Sequence, residues 1–548
     1  MHHNPKKQMK YIYIMLLWAA VAIHTDAQLP KHEMRAVWLT TIGGIDWPTS
    51  HDAMTQKKEM AQTLDQLRQG GINTVMFQAR VRATTVYPSK QEPWDVCLTG
   101  KAGQSPGYDP LQLCIDLCHE RGMECHAWVV TIPVGKWNSP GCKQLRQKYP
   151  KLIKHLGEDG FMDPEQSETG DYLAVVCRDI VERYDVDGIH LDYIRYPETW
   201  PRAKAKALTV RRNYITDIVR KIHTAVKDAK PWVKLSCSPI GKYDDLTRYR
   251  SGGWNARTAV CQDAQAWLRE GLMDALFPMM YFKDNHFFPF AIDWQEHACG
   301  RIVCPGLGIY FLDPKEGKWT LDIVERQMHV LRQIGLGHAY FRSRFFTRNV
   351  KGIYDFGSRF DQTPALVPPM AWATSSVPTA PPRLSLQGTT LAWQPSKDDS
   401  GAPYLLYNVY ASDTYPVDTD APENLMAWRT IATTLQVPAG YYYAVRAMNR
   451  YGIEGPATQL PAVIEEHRQG LPMGERLIRL NQPMLRLPHP TGLDADYIII
   501  EDLQGRQVAT YTWTPTINLT DLPDGMYRLR SLGRKGRNHR VGMLYKRK

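Results

Sequence analysis

The sequence lacks the short motifs that identify several large classes of protein. It contains no Cys-x-x-Cys pair, no Gly-x-Gly-x-x-Gly after a strand and no P-loop, which argues against a zinc ribbon, a dinucleotide-binding fold and a nucleotide hydrolase. A nucleic-acid-binding motif is also missing. We therefore expect no cofactor and no nucleic-acid partner.

Cysteine is absent outside one segment, since all ten residues fall between Cys97 and Cys304. This distribution excludes a framework of disulfides spread through small modules. Several of these cysteines lie in apolar helix or strand patterns, as Cys114 and Cys118 do one helical turn apart. Buried free thiols are favoured over disulfides, although export would make disulfides possible.

The first residues predict the compartment. Lysines precede the apolar run YIYIMLLWAAVAI, which is too short for a confident membrane span, and Thr25-Asp26-Ala27 offers a cleavage site before Gln28. The pattern predicts a signal peptide over residues 1–27, with an uncleaved membrane anchor as the alternative. We expect an exported protein that is periplasmic, surface-attached or secreted.

The net charge of +11 is unevenly distributed, because residues 471–548 carry thirteen Lys or Arg against seven Asp or Glu. Such a basic segment is compatible with an anionic partner at the cell wall or outer surface. A solvated basic surface without a partner is the favoured interpretation.

Short β-rich runs alternate with amphipathic helices from about residue 33 to residue 356. Eight strands are predicted, at residues 34–40, 73–80, 123–130, 187–194, 233–239, 274–282, 302–310 and 337–342. Eight βα repeats predict the α/β class and a (β/α)8 TIM barrel over residues 28–366. A doubly wound open sheet is the competing architecture, which the missing glycine motifs disfavour.

Two small all-β sandwich domains are predicted after the barrel. Residues 367–382 are rich in Pro, Ser and Thr and indicate a linker. Residues 383–465 resemble the fibronectin type III pattern, with an early Trp, a Tyr-rich middle and the run YYYAVRAMN. Residues 471–548 resemble the β-sandwich tails that serve some bacteria as sorting signals, and a degenerate accessory domain is an equal alternative.

The fourth predicted strand, in DVDGIHLDYIRYP, carries the most informative residues. Alternation along a strand puts His190 and Asp192 on one face, toward the barrel axis, with Asp192 at the carboxyl end where TIM barrels keep their catalysis. For His190 a packed, hydrogen-bonded core role is favoured over that of a proton shuttle, and its position one layer below Asp192 would let it orient that carboxylate. A loop cap or an ion pair with Arg195 is the alternative for Asp192, and Asp187 is expected to be a turn residue.

The carboxyl end of the barrel, where Asp192 is expected, is called the mouth below. Other strands and loops are expected to supply aromatic and polar groups to it. Aromatic rings suit the apolar face of a sugar, while polar groups suit its hydroxyls. The predicted substrate-binding residues are Arg80, His126, Trp128, His190, Tyr193, Arg195, Trp254 and Tyr281.

The runs EMRAVWLT, QARVRATTVYPSKQEPW, RGMECHAW and VDGIHLDYIRYP resemble the glycosyl hydrolase-like 10 family of exported bacterial barrels over about residues 33–360. The resemblance implies cleavage of glycosidic bonds in a bacterial or environmental glycan, with peptidoglycan-derived strands one candidate. It also implies Asp192 as the fourth-strand acid and Arg80, His126 and Trp128 as site residues.

Glycoside hydrolysis uses two carboxyl groups, one protonated and one ionised. We assign Asp192 first, and Asp284 after the sixth strand or Asp313 after the seventh as its partner. Asp46 is a further candidate, whereas Asp263 is expected inside a helix. A non-catalytic glycan-binding surface protein is the alternative function. A third option, metal-dependent ester or amide hydrolysis, would need three convergent ligands, such as His126, His190 and Asp192, and no metal is predicted.

Overall fold

The computed structural model describes residues 29–201, 206–247, 249, 252–460, 477–480, 484–486, 497–503, 505–514, 516–532 and 538–546. The predicted signal peptide, residues 1–27, lies outside the described residues. The chain divides into a first unit, Met1–Ala462, and a second unit, Val463–Lys548. No described helix is long and apolar enough to cross a membrane.

A parallel sheet of nine strand segments forms the core of the first unit. Its segments are β1 (Arg35–Leu39), β2 (Thr74–Arg80), β3 (Glu124–Val130), β7 (Gly188–Asp192), β8 (Lys234–Cys237), β9 (Ala275–Leu276), β10 (Ile302–Val303), β11 (Gly306–Leu307) and β12 (His338–Tyr340). Three more strands, β4 (Pro133–Lys136), β5 (Ile153–Leu156) and β6 (Asp159–Met162), form a separate antiparallel sheet in the loop after β3.

The parallel sheet closes into a barrel of eight strands because β10 and β11 are two pieces of one strand. Pro305 lies between the pieces and cannot donate a backbone hydrogen bond. The first piece pairs with β9 and the second with β12. Gly306 also bridges to Met279, just after β9, so the two ends of the sheet meet. The predicted TIM barrel is confirmed.

Helices cover the outside of the barrel. Asp52 and Asp109 begin two of them as N-caps, and Pro110 follows the second cap at the first helical position, where its missing N–H is not needed. The helices span Ala53–Gln69, Pro110–Glu120, Pro140–Lys148, Ser167–Arg183, Leu208–Ala229, Ala256–Ala259, Ala264–Arg269, Phe288–Glu296, Leu321–Gln333, Ser343–Thr347 and Ile353–Phe360.

The barrel interior holds large side chains, among them Trp38, Met76, Trp128 and Phe277, each at most 4% exposed. A larger apolar layer lies between strands and helices. All ten cysteines are unpaired thiols and all but Cys299 are buried, which agrees with the favoured prediction.

Two antiparallel sheets follow the barrel within the first unit. Their strands are β13 (Ser385–Gln387), β14 (Thr390–Ala392), β15 (Leu406–Ser412), β16 (Leu425–Thr430), β17 (Thr434–Gln436), β18 (Tyr442–Met448) and β19 (Thr458–Gln459). Trp393, Tyr407 and Val445 are in the shared core. We call residues 383–460 the β module. The connection at 367–382 is irregular and packed: Met370 is buried, and Trp372 donates to Asp274 at 3.1 Å.

Two arginines of the β module form ion pairs with the barrel. Arg429 donates to Glu124 of β3 at 3.0 Å and to Asp187, just before β7, at 2.6 Å. Arg450 donates to Asp187 at 3.2 Å and to Asp185 at 2.7 Å. Asp187 lies in a bend directly before β7, as expected of a turn residue, and a distant part of the chain supplies the partners of its buried side chain.

The described residues of the second unit also form β-strands and no helix, which agrees with the predicted fold class. Its strands are β20 (Leu477–Leu480), β21 (Met484–Arg486), β22 (Tyr497–Glu501), β23 (Gln507–Thr512), β24 (Thr516–Asn518), β25 (Gly525–Leu532) and β26 (Asn538–Lys546). Ile498, Ile500 and Leu529 lie in its core. Its resemblance to a sorting signal stays a prediction.

Candidate functional site

Asp192 is the last residue of β7 and lies at the carboxyl end of the barrel, partly exposed. Its Oδ1 accepts hydrogen bonds from the Tyr193 backbone N–H at 2.8 Å and from Ser238 Oγ at 3.0 Å. Its Oδ2 accepts from Trp128 Nε1 at 3.3 Å. Three donors from three positions therefore fix the carboxylate and stabilise its negative charge.

Trp128 lies beside Asp192 in the floor of the mouth. β3 and β7 pair in parallel, with Val130 opposite Asp192. Thr131 strengthens this contact, since its N–H and its hydroxyl both donate to the Asp192 carbonyl, at 2.9 and 2.8 Å. Trp128 is only 4% exposed, so its indole holds Asp192 but offers a ligand little surface.

The two predicted site histidines lie inside the barrel, below the mouth. Trp38 Nε1 donates to His190 Nε2 at 3.1 Å, so the proton of His190 is on Nδ1, which donates to Ser236 Oγ at 3.0 Å. Burial lowers the pKa of His190 well below its usual value, and nearby His126 lowers it further, which keeps the ring neutral. His190 is therefore a packed, hydrogen-bonded core residue, which is the favoured interpretation, and its ring nitrogens contact Trp38 and Ser236 instead of Asp192.

His126 has no exposed surface, and its Nε2 lies 3.0 Å from Glu124 Oε2. Its ring also packs against Gly188, where an added Cβ would come within 2.6 Å of Nδ1. Among the described residues, the groups with metal-ligand spacing are Cys114–Cys118–Cys125 and Glu33–His338–Asp361, neither of which is at the mouth. The metal-dependent alternative therefore finds no support there.

Arg80 is completely buried and cannot contact a substrate in this conformation. Its Nη2 forms an ion pair with Glu92 Oε1 at 2.6 Å. Its Nη1 donates hydrogen bonds to the carbonyls of Val130 and Thr131. Tyr172 donates to the same glutamate at 2.8 Å. Arg80 thus ties β2 to the end of β3, next to the segment that contacts Asp192.

Tyr193, Arg195 and Trp254 lie together at one side of the mouth. Arg195 is 5% exposed and stacks on the Tyr193 ring at 3.9 Å, with Trp254 at 5.5 Å. The Arg195 side chain pairs with Glu198 at 2.7 Å rather than with Asp192. Trp254 is 45% exposed, so it offers a ligand far more surface than Trp128 does.

An aromatic wall carries the remaining predicted binding residue, Tyr281. Its ring packs against Phe341 at 5.3 Å and edge-on against Tyr310 at 5.6 Å. Burial raises the pKa of Tyr281 well above its usual value, and the charges of Tyr310 and Asp192 act in the same direction. The phenol is a neutral donor in the vicinity of Asp192.

Asp284 and Asp313, the two acids predicted to pair with Asp192, differ in the hydrogen bonds that their carboxylates accept. Asp284 is exposed, follows the sixth strand and has a left-handed φ of 52°, and its carboxylate has no hydrogen-bond partner among the described residues. Asp313 caps its own turn by accepting from the Lys315 N–H at 2.9 Å. Asp284 is therefore the freer of the two.

The carboxylates of Asp46 and Asp263 are both bound by other side chains. Asp46 has a side chain only 1% exposed and an ion pair with Arg342; burial raises its pKa despite that arginine. Asp263 accepts a hydrogen bond from Tyr243. It precedes the helix Ala264–Arg269 instead of lying inside one, because the helix is short and starts late.

Sequence reasoning missed two residues of this region, Ser238 and Glu198. Ser238 follows β8 and contacts Asp192; its position just after a predicted strand could have indicated it. Glu198 follows Tyr196-Pro197 in the motif of the fourth strand and could have been found as the next acid along that loop.

The barrel, the acid at the end of its fourth strand and the aromatic wall are features of a TIM-barrel glycoside hydrolase. The family model glycosyl hydrolase-like 10 matches residues 33–205 and 198–307, about half of the chain. The chain belongs to this family, and the predicted enzyme class is confirmed.

Curated relatives agree with this placement. Glycosyl hydrolase YngK of Bacillus subtilis (strain 168) is 29% identical over 401 residues, which cover 66% of this chain and 78% of that protein. Glycosyl hydrolase DigH of Escherichia coli (strain K12) is 30% identical over 293 residues, or 46% of this chain and 67% of that protein. Among solved structures, the PgaB (BpsB) glycoside hydrolase domain from Bordetella bronchiseptica has 14% identity and a TM-score of 0.45 over 62% of this chain and 100% of that chain.

Proposed function

We propose that the protein is an exported enzyme that hydrolyses glycosidic bonds in a bacterial or environmental oligosaccharide or polysaccharide, with peptidoglycan-derived strands as one candidate substrate. The observation that carries this proposal is the position of Asp192. It is partly exposed at the carboxyl end of β7 and is held by donors from Trp128, Tyr193 and Ser238.

Asp192 acts as the ionised carboxylate of the pair. A cleaved glycosidic bond leaves positive charge on the sugar ring in the transition state, and a fixed anion beside the ring stabilises it. The three donors keep the carboxylate in one orientation, so little reorganisation is needed when that charge develops.

Asp284 is the proposed proton donor to the leaving oxygen, ahead of Asp313. Its carboxylate is exposed and free of partners among the described residues, whereas Asp313 is occupied by its own turn. Asp284→Asn should lower kcat for substrates with poor leaving groups more than for activated aryl glycosides, because only the former need a proton. Equal loss for both would reject this assignment.

Export completes the proposal. The N-terminal lysines and apolar run support export, and the basic charge of residues 471–548 is compatible with an anionic partner at the cell surface, although a solvated basic surface stays the favoured interpretation.

The direct test is incubation of the purified protein with a panel of bacterial and plant glycans, followed by mass spectrometry of the products. Hydrolysis adds one water per bond cleaved, so the fragments should sum to the mass of the substrate plus water. Intact glycans throughout the panel, or anhydro products from an elimination, would contradict the proposed reaction.

A further inference from the structure

The residue after Asp192 has an unusual backbone conformation. Tyr193 has a φ of 57°, in the left-handed region that bulky residues rarely adopt. Because the chain is packed on both sides, this φ is coupled to the orientation of the Asp192–Tyr193 peptide unit, whose N–H donates to Asp192 Oδ1 at 2.8 Å and whose carbonyl accepts from Thr131. Backbone strain of this kind persists only where surrounding contacts enforce it, and it concentrates at functional sites.

Three contacts hold Tyr193 in this conformation. Its hydroxyl donates to Glu198, and the Arg195 guanidinium stacks on its ring at 3.9 Å. The Arg195 N–H donates to the Tyr193 carbonyl at 2.9 Å across a tight turn. Since Arg195 Nη2 also donates to Glu198 at 2.7 Å, the three side chains form a closed set of contacts, which we call the Tyr193 clamp.

The clamp includes a second unfavourable feature. Arg195 is 5% exposed, yet its Nε and Nη1 have no hydrogen-bond partner among the described residues. Leaving buried donors unpaired is costly. Glu198 supplies the compensating charge. Burial acts to raise the pKa of Glu198, but the Arg195 charge and the Tyr193 hydroxyl outweigh burial and lower it, so Glu198 is ionised near neutral pH.

We propose that Tyr193 is a positioning residue, and that the Tyr193 clamp keeps its backbone N–H on Asp192 so that the carboxylate stays fixed during turnover. This inference rests on the proposed function. Two local costs, a left-handed tyrosine and a buried arginine with unpaired donors among the described residues, occur within three residues of Asp192, next to the peptide unit that donates this hydrogen bond.

Substitutions at Tyr193 separate backbone positioning from contact with the substrate. Gly and Asn accept the left-handed conformation without the clamp, whereas Ala does not. Tyr193→Ala should therefore have a kcat about tenfold below that of Tyr193→Gly and Tyr193→Asn. The three variants should share one KM, so that the difference between them is confined to kcat.

A side chain that binds the substrate would give a different pattern. All three variants would then show the same increase in KM and have equal kcat, which would overturn the positioning role. A Tyr193→Ala variant more active than the other two would overturn it as well.

Glu198→Gln tests the clamp without altering Tyr193. Glu198 is 41% exposed in its side chain, so the variant should fold, and its kcat should fall while KM is kept. Glu198→Asp should restore part of the loss. Tyr184→Phe is the matched control, since it removes a Tyr–Asp hydrogen bond of 2.6 Å to Asp109 away from the mouth, and it should leave kcat unchanged.

A kcat and a KM equal to those of the wild type in Glu198→Gln would overturn the proposed role of the Tyr193 clamp. A wild-type protein that cleaves none of the glycans would instead reject the proposed function, so the two failures are distinguishable.

Discussion

Arg429 of the β module should be essential for the stability of the barrel, and Arg429→Met removes its charge while keeping much of its length. The guanidinium is the partner of two buried carboxylates, Glu124 at 3.0 Å and Asp187 at 2.6 Å. Breaking a buried ion pair from one side costs about 3 to 5 kcal/mol, because it leaves an uncompensated charge. Lys234 still contacts Glu124, and Arg450 still contacts Asp187, so we expect the lower end, about 3 kcal/mol.

Hydrogen exchange measured by mass spectrometry detects this loss of stability in the peptides that contain β3 and β7. A loss of about 3 kcal/mol corresponds to exchange roughly 150-fold faster for amides that open with the barrel. Arg446→Met is the matched control, since Arg446 is on β18 of the same module and its charged partners, at 3.7 and 3.9 Å, are Asp420 and Glu454. The control should change exchange by less than about fivefold.

The pH dependence gives an independent check. Burial acts to raise the pKa of Glu124, but the charges of Lys234 and Arg429 outweigh it and lower the pKa to about 2. A carboxylate with a lowered pKa contributes stability above its unfolded pKa of about 4.3 and loses it as the pH falls. Wild-type stability should therefore fall between about pH 5 and pH 2, and less steeply in Arg429→Met. Exchange rates equal to those of the control variant would refute the role of Arg429.

Three further predictions follow from the site and the two units. Trp128→Phe should keep the packing but lose the N–H donated to Asp192, so kcat should fall by about tenfold or more while KM is kept. An unchanged kcat would show that this hydrogen bond does not contribute to catalysis. Trp128→Ala should lower the free energy of unfolding by about 3 to 5 kcal/mol, measured by urea denaturation, because the side chain is 4% exposed. Removing residues 463–548, the second unit, should leave kcat/KM on soluble oligosaccharides unchanged, and a drop of more than about threefold would show that the barrel needs it.

The barrel could be predicted from local patterns, because each βα repeat is specified by nearby residues. Alternation along β7 correctly put Asp192 at the strand end, facing the mouth. The sequence did not reveal that Pro305 divides the seventh strand into β10 and β11, because a broken strand and an intact one share the same apolar pattern.

Side-chain partners from distant parts of the chain could not be predicted. The ion pairs of Asp187 with Arg429 and Arg450 join residues more than 200 positions apart, and no periodicity reports such contacts. His190 illustrates the same limit: its strand face was predicted, but its bonds to Trp38 and Ser236 depend on two other strands. The roles of the predicted site residues stay predictions.

The central claim, hydrolysis of glycosidic bonds by Asp192, is tested most directly by comparing wild type with Asp192→Asn in water enriched in heavy oxygen. The amide is nearly isosteric with the carboxylate but carries no charge. The wild type should release fragments with heavy oxygen at the new reducing end, and Asp192→Asn should keep its melting temperature with a kcat below about 1% of wild type. A folded Asp192→Asn variant with wild-type turnover, or wild-type products without the label, would contradict the account.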